Sequence, residues 1–248
     1  MTEKRLATGV AGLDQMLSGG FVPGSAILVR GAPGTGKTTL AFHYLIEGAR
    51  NGEPGLLISF EEFPKSLYRD ATSLGWDLRT WEETGKLHIL FTSPNVFLGS
   101  LTTDDSPISR LIAEHNIQRV ALDSLTHFTR MTSDTHELRN IYNTVINGLK
   151  RGDVTSMFLG EESQSDFTAD EKGRLSFVVD CIVMLRYLEV ESAIGRALLV
   201  LKMRSSAHDN TIHRYTIGKG GITVGEPMEG YTGLLSGLAR RSLVSTVE

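Results

Sequence analysis

Eight residues, Gly31-Ala32-Pro33-Gly34-Thr35-Gly36-Lys37-Thr38, fit the spacing GxxxxGK[ST]. Glycine adopts backbone angles with φ > 0, so successive N–H groups can turn inward around phosphate oxygens. In such a loop Lys37 reaches the β- and γ-phosphates of a nucleoside triphosphate and the Thr38 hydroxyl ligates Mg²⁺. Thr39 follows in the first turn of the helix that begins here, whose positive dipole end adds to the attraction. The pattern needs a strand before it and a helix after it, and Ala26–Arg30 and Lys37–Arg50 have those signatures. The cradle therefore implies ATP and Mg²⁺ as ligands.

Binding alone does not hydrolyse a triphosphate; the metal must be positioned and the attacking water needs a base. Asp123 closes the otherwise apolar run Arg-Val-Ala-Leu-Asp, which suits a carboxylate at a strand tip beside the cradle, contacting Mg²⁺. The plainer alternative is a cap for the following turn. Glu61 and Glu62 end the strand Leu56–Phe60. At the C-terminal edge of a parallel sheet, where such folds bind ligands, one of them can polarise water while the other tunes its neighbour. With Pro64 just beyond, a solvated pair at a helix start is the competing reading. Lys202 and Arg204 alternate in Leu-Lys-Met-Arg, so both side chains leave one face of a strand and invite an anion, unless they are an ordinary surface pair.

The elements that must hold these residues alternate along the chain. A short helix around Leu13, Met16 and Leu17 closes at Gly19-Gly20. Strands at 26–30, 56–60, 87–91, 120–123 and 155–160 are separated by helical patterns at 37–50, 64–74, 106–116 and 134–150. That order predicts an α/β domain with a mostly parallel central sheet flanked by helices. After residue 176 the runs Phe177–Val190, Ala193–Arg204, Thr211–Ile217 and Ile222-Thr223 are rich in branched residues with no helical unit between them. They predict a β-rich C-terminal extension of the same sheet. The expected division is one domain over 1–235 and an exposed tail over 236–248.

Bulk properties exclude several classes. The chain has 248 residues and a net charge of −4, so no global basic field draws in nucleic acid. Cys181 is the only cysteine, which rules out an internal disulfide framework or a CxxC metal site. It lies in the apolar run Cys-Ile-Val-Met-Leu and reads as a small buried hydrophobe. No apolar stretch approaches the ~18 residues of a membrane span, and the first residues carry charge without an apolar signal core. A cytoplasmic protein is expected. The seven histidines are scattered, with His208 and His213 flanking a turn. Trp76 and Trp81 read as core edges, Asp104-Asp105 as a solvated loop or helix cap, and Phe91 to Phe97 receives no role.

Together these residues resemble the RecA-like P-loop ATPases, and within them the KaiC branch, over almost the whole chain. The likeness is carried by TGVAGLDQMLSGGF before the loop, SFEE, LDSLT, KMRSSAH and the closing GLLSGLARRS, which is similar to the end of the second KaiC repeat. The resemblance implies a ring-forming ATPase, a hexamer, with ATP held between subunits. It implies Glu61 as the base beside Glu62. It further implies that Lys202 and Arg204 touch the neighbour's phosphate and His208 its nucleotide. Departures narrow the function. This chain has one repeat rather than two fused, and the positions matching a phosphorylated Ser-Thr pair are Ser176-Phe177. Phe177 cannot accept a phosphate, so a two-site cycle is not available. Lys219 stands where the family usually has an acidic residue near the neighbouring nucleotide.

Four functions compete at this level: the ring ATPase with a regulatory protein partner, an autokinase with Ser176 as acceptor, a recombinase-type DNA-dependent ATPase, and an ATP-gated scaffold. DNA is disfavoured by the loop Glu161–Arg174. Its five acidic residues, Glu161, Glu162, Asp166, Asp170 and Glu171, against Lys172 and Arg174 leave a net −3.

Overall fold

The computed structural model describes residues 4–103, 105–161, 174–190, 193–228, 231–232 and 240–241. In chain order the first elements are α1 (Ala11–Met16), β1 (Ala26–Gly31), α2 (Lys37–Arg50), β2 (Gly55–Ser59), α3 (Pro64–Ser73), α4 (Leu78–Glu83) and β3 (Leu87–Phe91). They are followed by α5 (Pro94–Leu101), α6 (Pro107–Glu114), β4 (Arg119–Asp123), a 3-10 helix (Leu125–Arg130), α7 (Thr135–Arg151) and β5 (Thr155–Glu161). The remainder is α8 (Arg174–Val178), β6 (Cys181–Val190), β7 (Ala193–Met203), β8 (His213–Gly218), β9 (Gly221–Pro227), β10 (Tyr231–Thr232) and β11 (Arg240–Arg241).

Among the described residues, nine strands form one sheet in the order β3-β2-β4-β5-β1-β6-β7-β8-β9. The pairings from β3 to β6 are parallel, and β6 to β9 add antiparallel neighbours. Successive residues of β1 alternate between two cores: Ile27 and Val29 face the one that holds α2, while Ala26 and Leu28 face the one that holds α7. Burying both faces explains why the parallel strands are nearly continuous apolar runs.

At the base of β4 the fully buried Arg119 donates from Nε to Glu53 (2.9 Å) and from Nη1 to the carbonyls of Ala7 (2.6 Å) and Tyr44 (2.8 Å). One guanidinium thus joins the N-terminal segment, α2 and the strand whose far end carries Asp123. Removing one partner of such a buried pair costs about 3–5 kcal/mol.

Some expectations need correction and others gain detail. The apolar run from Phe177 is not strand from its start, because Arg174–Val178 is a helical turn and β6 begins only at Cys181. A branched apolar run does not by itself distinguish a buried helix turn from a buried strand. Phe91–Phe97 contains a helix start, with the Ser93 hydroxyl accepting from Val96 N–H and Pro94 in the first turn. Trp76 and Trp81 do pack at the core edge; Trp76 precedes α4, capped by Asp77, and Trp81 lies within it. Ser106, not an aspartate, caps α6, while Asp105 pairs with Arg110 at 2.6 Å. Within the expected tail, Arg240–Arg241 pairs antiparallel with Tyr231–Thr232. Residues 236–239 and 242–248 lie outside the described residues, as do Asp104 and 162–173 of the acidic loop.

Candidate functional site

Four strand tips meet at one edge of the sheet. The register aligns Gly31 with Glu161 and Ser59 with Asp123, so β1, β5, β2 and β4 end together. The loop from Gly31 to Lys37 turns over that edge. Gly34 (φ 78°) and Gly36 (φ 93°) occupy left-handed backbone that glycine alone enters without strain. A Cβ at Gly34 would stand 2.6 Å from the Tyr187 hydroxyl, and one at Gly36 would stand 2.4 Å from Ile217 Cδ1. The β-rich extension therefore braces the loop from behind. Tyr215 completes the support, its hydroxyl donating to the Thr35 carbonyl at 2.5 Å.

Lys37 folds over the loop, its Nζ donating to the carbonyls of Gly31 (2.9 Å) and Ala32 (3.1 Å). Burial lowers its pKa, opposed by the charges of Asp123 and Glu161. The Thr38 hydroxyl donates to Asp123 Oδ2 at 2.7 Å. Burial raises the Asp123 pKa, with the Thr38 bond and Lys37 pulling the other way. A half-buried carboxylate beside a hydroxyl, and an ammonium folded over a glycine-rich loop, fit a triphosphate with its divalent cation. Hard oxygen donors of this kind are those Mg²⁺ takes.

Glu61 and Glu62 follow β2 on the same edge. Glu61 is 69% exposed in its side chain, and its Oε2 lies 3.2 Å from His127 Nε2. Glu62 turns inward, its N–H donating to Ser59 Oγ at 3.0 Å. Its Oε2 is buried without a hydrogen-bond partner among the described residues. Burial raises its pKa, and the negative charges of Asp70, Asp123 and Glu61 add to that. The two carboxylates thus differ in kind: one exposed and held, one turned inward and desolvated.

Lys202 and Arg204 are not at this edge. Met203 pairs with Cys181, which pairs with Ile27, whereas the cradle edge is the level of Gly31, Leu185 and Leu198. Four residues of strand place the pair on the order of 13 Å down the sheet from its own cradle. Lys202 Nζ donates to Val179 O (2.7 Å) and Arg204 Nη2 to Phe177 O (2.8 Å). Both therefore leave on one side, as their alternation predicted, although β7 stops at Met203. Burial, then Arg204, lowers the Lys202 pKa. Asp180 lies among three cations, 2.7 Å from Lys150 and 3.8 Å from Arg204, with Lys202 acting on the same segment. His208 is half-buried in the segment after β7, which docks on the end of α1 through Asp209 N–H to Met16 O (2.8 Å). The helical turn that includes Ser176 precedes β6, and the side chain of Ser176 lies outside the described residues.

A family model described as "ATPase: KaiC" matches residues 6–229. The chain belongs to the KaiC ATPase family. It is 34% identical over 241 residues to the circadian clock oscillator protein KaiC of Picosynechococcus sp., covering 97% of this chain and 46% of that protein. To the circadian clock protein KaiC3 of Synechocystis sp. it is 33% identical over 251 residues, covering 98% and 48%. It thus spans about half the length of these KaiC relatives. The crystal structure of a KaiC-like protein from Pyrococcus horikoshii OT3 superposes with a TM-score of 0.80 at 28% identity, covering 90% of this chain and 99% of that one. The RecA-like P-loop fold read from the motifs is the fold that is found.

Within this KaiC fold the sequence did not point to Tyr187, Tyr215, Ile217 or His127. Each reaches the site across a strand pairing rather than through a local motif. Glu161 was legible only as an acidic loop residue, yet it ends β5 beside the cradle, its N–H donating to Thr126 Oγ1 at 2.9 Å. His213 is satisfied by Asp209 (3.3 Å) and the Gly225 carbonyl (2.9 Å), and no group of three metal-ligating side chains occurs among the described residues. No described helix is long and apolar enough to cross a membrane.

Proposed function

We propose that this chain binds ATP with Mg²⁺ at Gly31–Thr38 and hydrolyses it at a site completed by a second copy of the chain. The observation that carries this reading is the convergence of Lys37, Thr38, Asp123, Glu61 and Glu62 on one sheet edge while Lys202 and Arg204 project from the other. A cationic pair that cannot reach its own cradle is suited to reach a neighbour's.

In this reading Glu61 accepts a proton from water as the water oxygen bonds to the γ-phosphorus. The bond to the β–γ bridging oxygen breaks, leaving ADP and phosphate. Lys37 offsets charge on the β- and γ-phosphates, and Glu62 helps to hold the attacking water. Bound Mg²⁺, held by Thr38 and Asp123, supplies charge neutralisation. Lys202 and Arg204 of the neighbour stabilise the charge of the transferring phosphoryl group, the role of an arginine finger in trans. His208 of the neighbour lies near the nucleotide.

Head-to-tail contacts of this kind close into a ring, and the family resemblance points to a hexamer. A regulatory or signalling role suits the clock relatives, with a protein partner rather than DNA, given the net −3 of residues 161–174. Phe177 carries no hydroxyl, so alternating two-site phosphorylation is not part of this function.

The test is a pair of variants in which ATP binding and phosphate release are both followed. Glu61→Gln is expected to bind ATP and lose about 10²–10⁴-fold in turnover. The K202A/R204A variant is expected to bind ATP and lose turnover as well. Undiminished hydrolysis by Glu61→Gln would remove Glu61 as the base.

A further inference from the structure

Glu61 poses a problem for any base. Its side chain is 69% exposed, and a long exposed carboxylate samples several rotamers at little cost. A general base must nevertheless lie within hydrogen-bond reach of the proton it takes, and loss of that geometry is expensive in rate. Something has to hold it.

The contact at Glu61 Oε2 is His127 Nε2, at 3.2 Å. His127 is itself well fixed, with 14% of its side chain exposed. Its ring stands edge-on to Phe60 (6.0 Å, 82°), and Phe60 packs on Phe128 (5.5 Å) and Phe97 (5.6 Å). Phe60 immediately precedes Glu61, and His127 sits on the 3-10 helix that leaves the tip of β4 beyond Asp123. One aromatic cluster therefore anchors both the backbone that carries the carboxylate and the imidazole that meets it. Asp123 belongs to the same tip, where Phe60 N–H donates to its carbonyl at 3.0 Å.

We propose that His127 is a positioning residue for hydrolysis: it holds Glu61 Oε2 through Nε2–H and leaves Oε1 to the attacking water. An ionised carboxylate only accepts hydrogen bonds, so the donor is the imidazole. Nε2 carries a proton in one neutral tautomer and in the cation, so the contact does not depend on the charge of the ring. The charged groups shown to act with it are Glu61, at its Nε2, and Asp123. This inference rests on Glu61 being the base.

The experiment compares His127→Phe, His127→Gln and Glu61→Gln, alone and combined, in steady-state ATP hydrolysis with ATP binding measured on the same samples. Phenylalanine preserves the ring against Phe60 but has no donor; glutamine places an amide N–H near the position of Nε2. His127→Phe is expected to lower kcat about ten- to a hundredfold with KM and ATP affinity little changed. His127→Gln is expected to recover most of that loss. In the Glu61→Gln background His127→Phe should add no further loss, because the base it positions is gone. Wild-type kcat in His127→Phe, an equal loss in His127→Gln, or an undiminished further loss in the Glu61→Gln background would each overturn the assignment. If instead Glu61→Gln alone hydrolyses at the wild-type rate, the reading of Glu61 as base fails, and that failure is seen without any His127 variant.

Discussion

The Tyr215 hydroxyl, carried by β8, donates to the carbonyl of Thr35 inside the phosphate loop, 180 residues earlier in the chain. The bond is buried and spans 2.5 Å. It ties the cradle to the antiparallel extension, on which β7 carries Lys202 toward the opposite edge.

Tyr215→Phe keeps the ring and removes only the donor, leaving the Thr35 carbonyl unsatisfied. The expected cost is about 1–3 kcal/mol in unfolding free energy, read by denaturant titration. ATP affinity should fall as well, since the loop loses its fixed floor. Unchanged stability and affinity would show that the contact has no role in shaping the cradle.

Asp123→Asn separates the metal role proposed for this residue from its cost to the fold. Burial raises the Asp123 pKa, so the apo protein holds a carboxylate whose charged form is disfavoured. Asparagine still accepts from Thr38. Without nucleotide the variant is expected to melt at or above the wild-type temperature near pH 8. That advantage should shrink as pH falls through the raised pKa and the wild-type residue takes up its proton. Stabilisation by ATP with Mg²⁺ should disappear. A variant still stabilised by the nucleotide and metal to the wild-type degree would contradict the assignment.

His43 gives the fold an acid-sensitive joint. It is 8% exposed, and its neutral Nε2 accepts the Ile222 N–H at 2.8 Å, holding the β8–β9 hairpin on α2. Burial lowers its pKa to about 4, and the unfolded ring titrates near 6.5. Between these values the unfolded chain binds more protons, so stability rises with pH through this window and is lost as pH falls through it. The full contribution is about 3 kcal/mol. His43→Gln retains an acceptor without a titrating ring and should flatten the stability profile from pH 6.5 to 4. A profile identical to wild type would exclude His43 as its source.

Much of the site was legible because its chemistry is local. The cradle, the Glu61-Glu62 pair and Asp123 each combine a strand pattern with polar residues at its tip, and the parallel sheet brings those tips together. Legibility fails where a relationship crosses strands. The contact between Glu61 and His127 spans 66 residues and exists only because β2 pairs with β4. The distance of Lys202 from its own cradle follows from β7 running antiparallel to β6, which alternation alone does not reveal. Helices α4 and α5 are only six and eight residues long, too short for a periodic signal, and their caps at Asp77 and Ser93 were the available clues. The turn at Arg174–Val178 hid in a run whose branched residues favour strand.

The central claim is that each ATP site is shared, with Glu61 from one copy and Lys202 and Arg204 from the next. Mixing two inactive variants, Glu61→Gln and K202A/R204A, and measuring phosphate release tests it directly. If the site is shared, interfaces that join the intact Glu61 of one variant to the intact cations of the other regain hydrolysis. A random equal mixture should then recover about a quarter of the wild-type rate. A mixture that stays as inactive as its components, under conditions where the two variants co-assemble, would contradict the shared site.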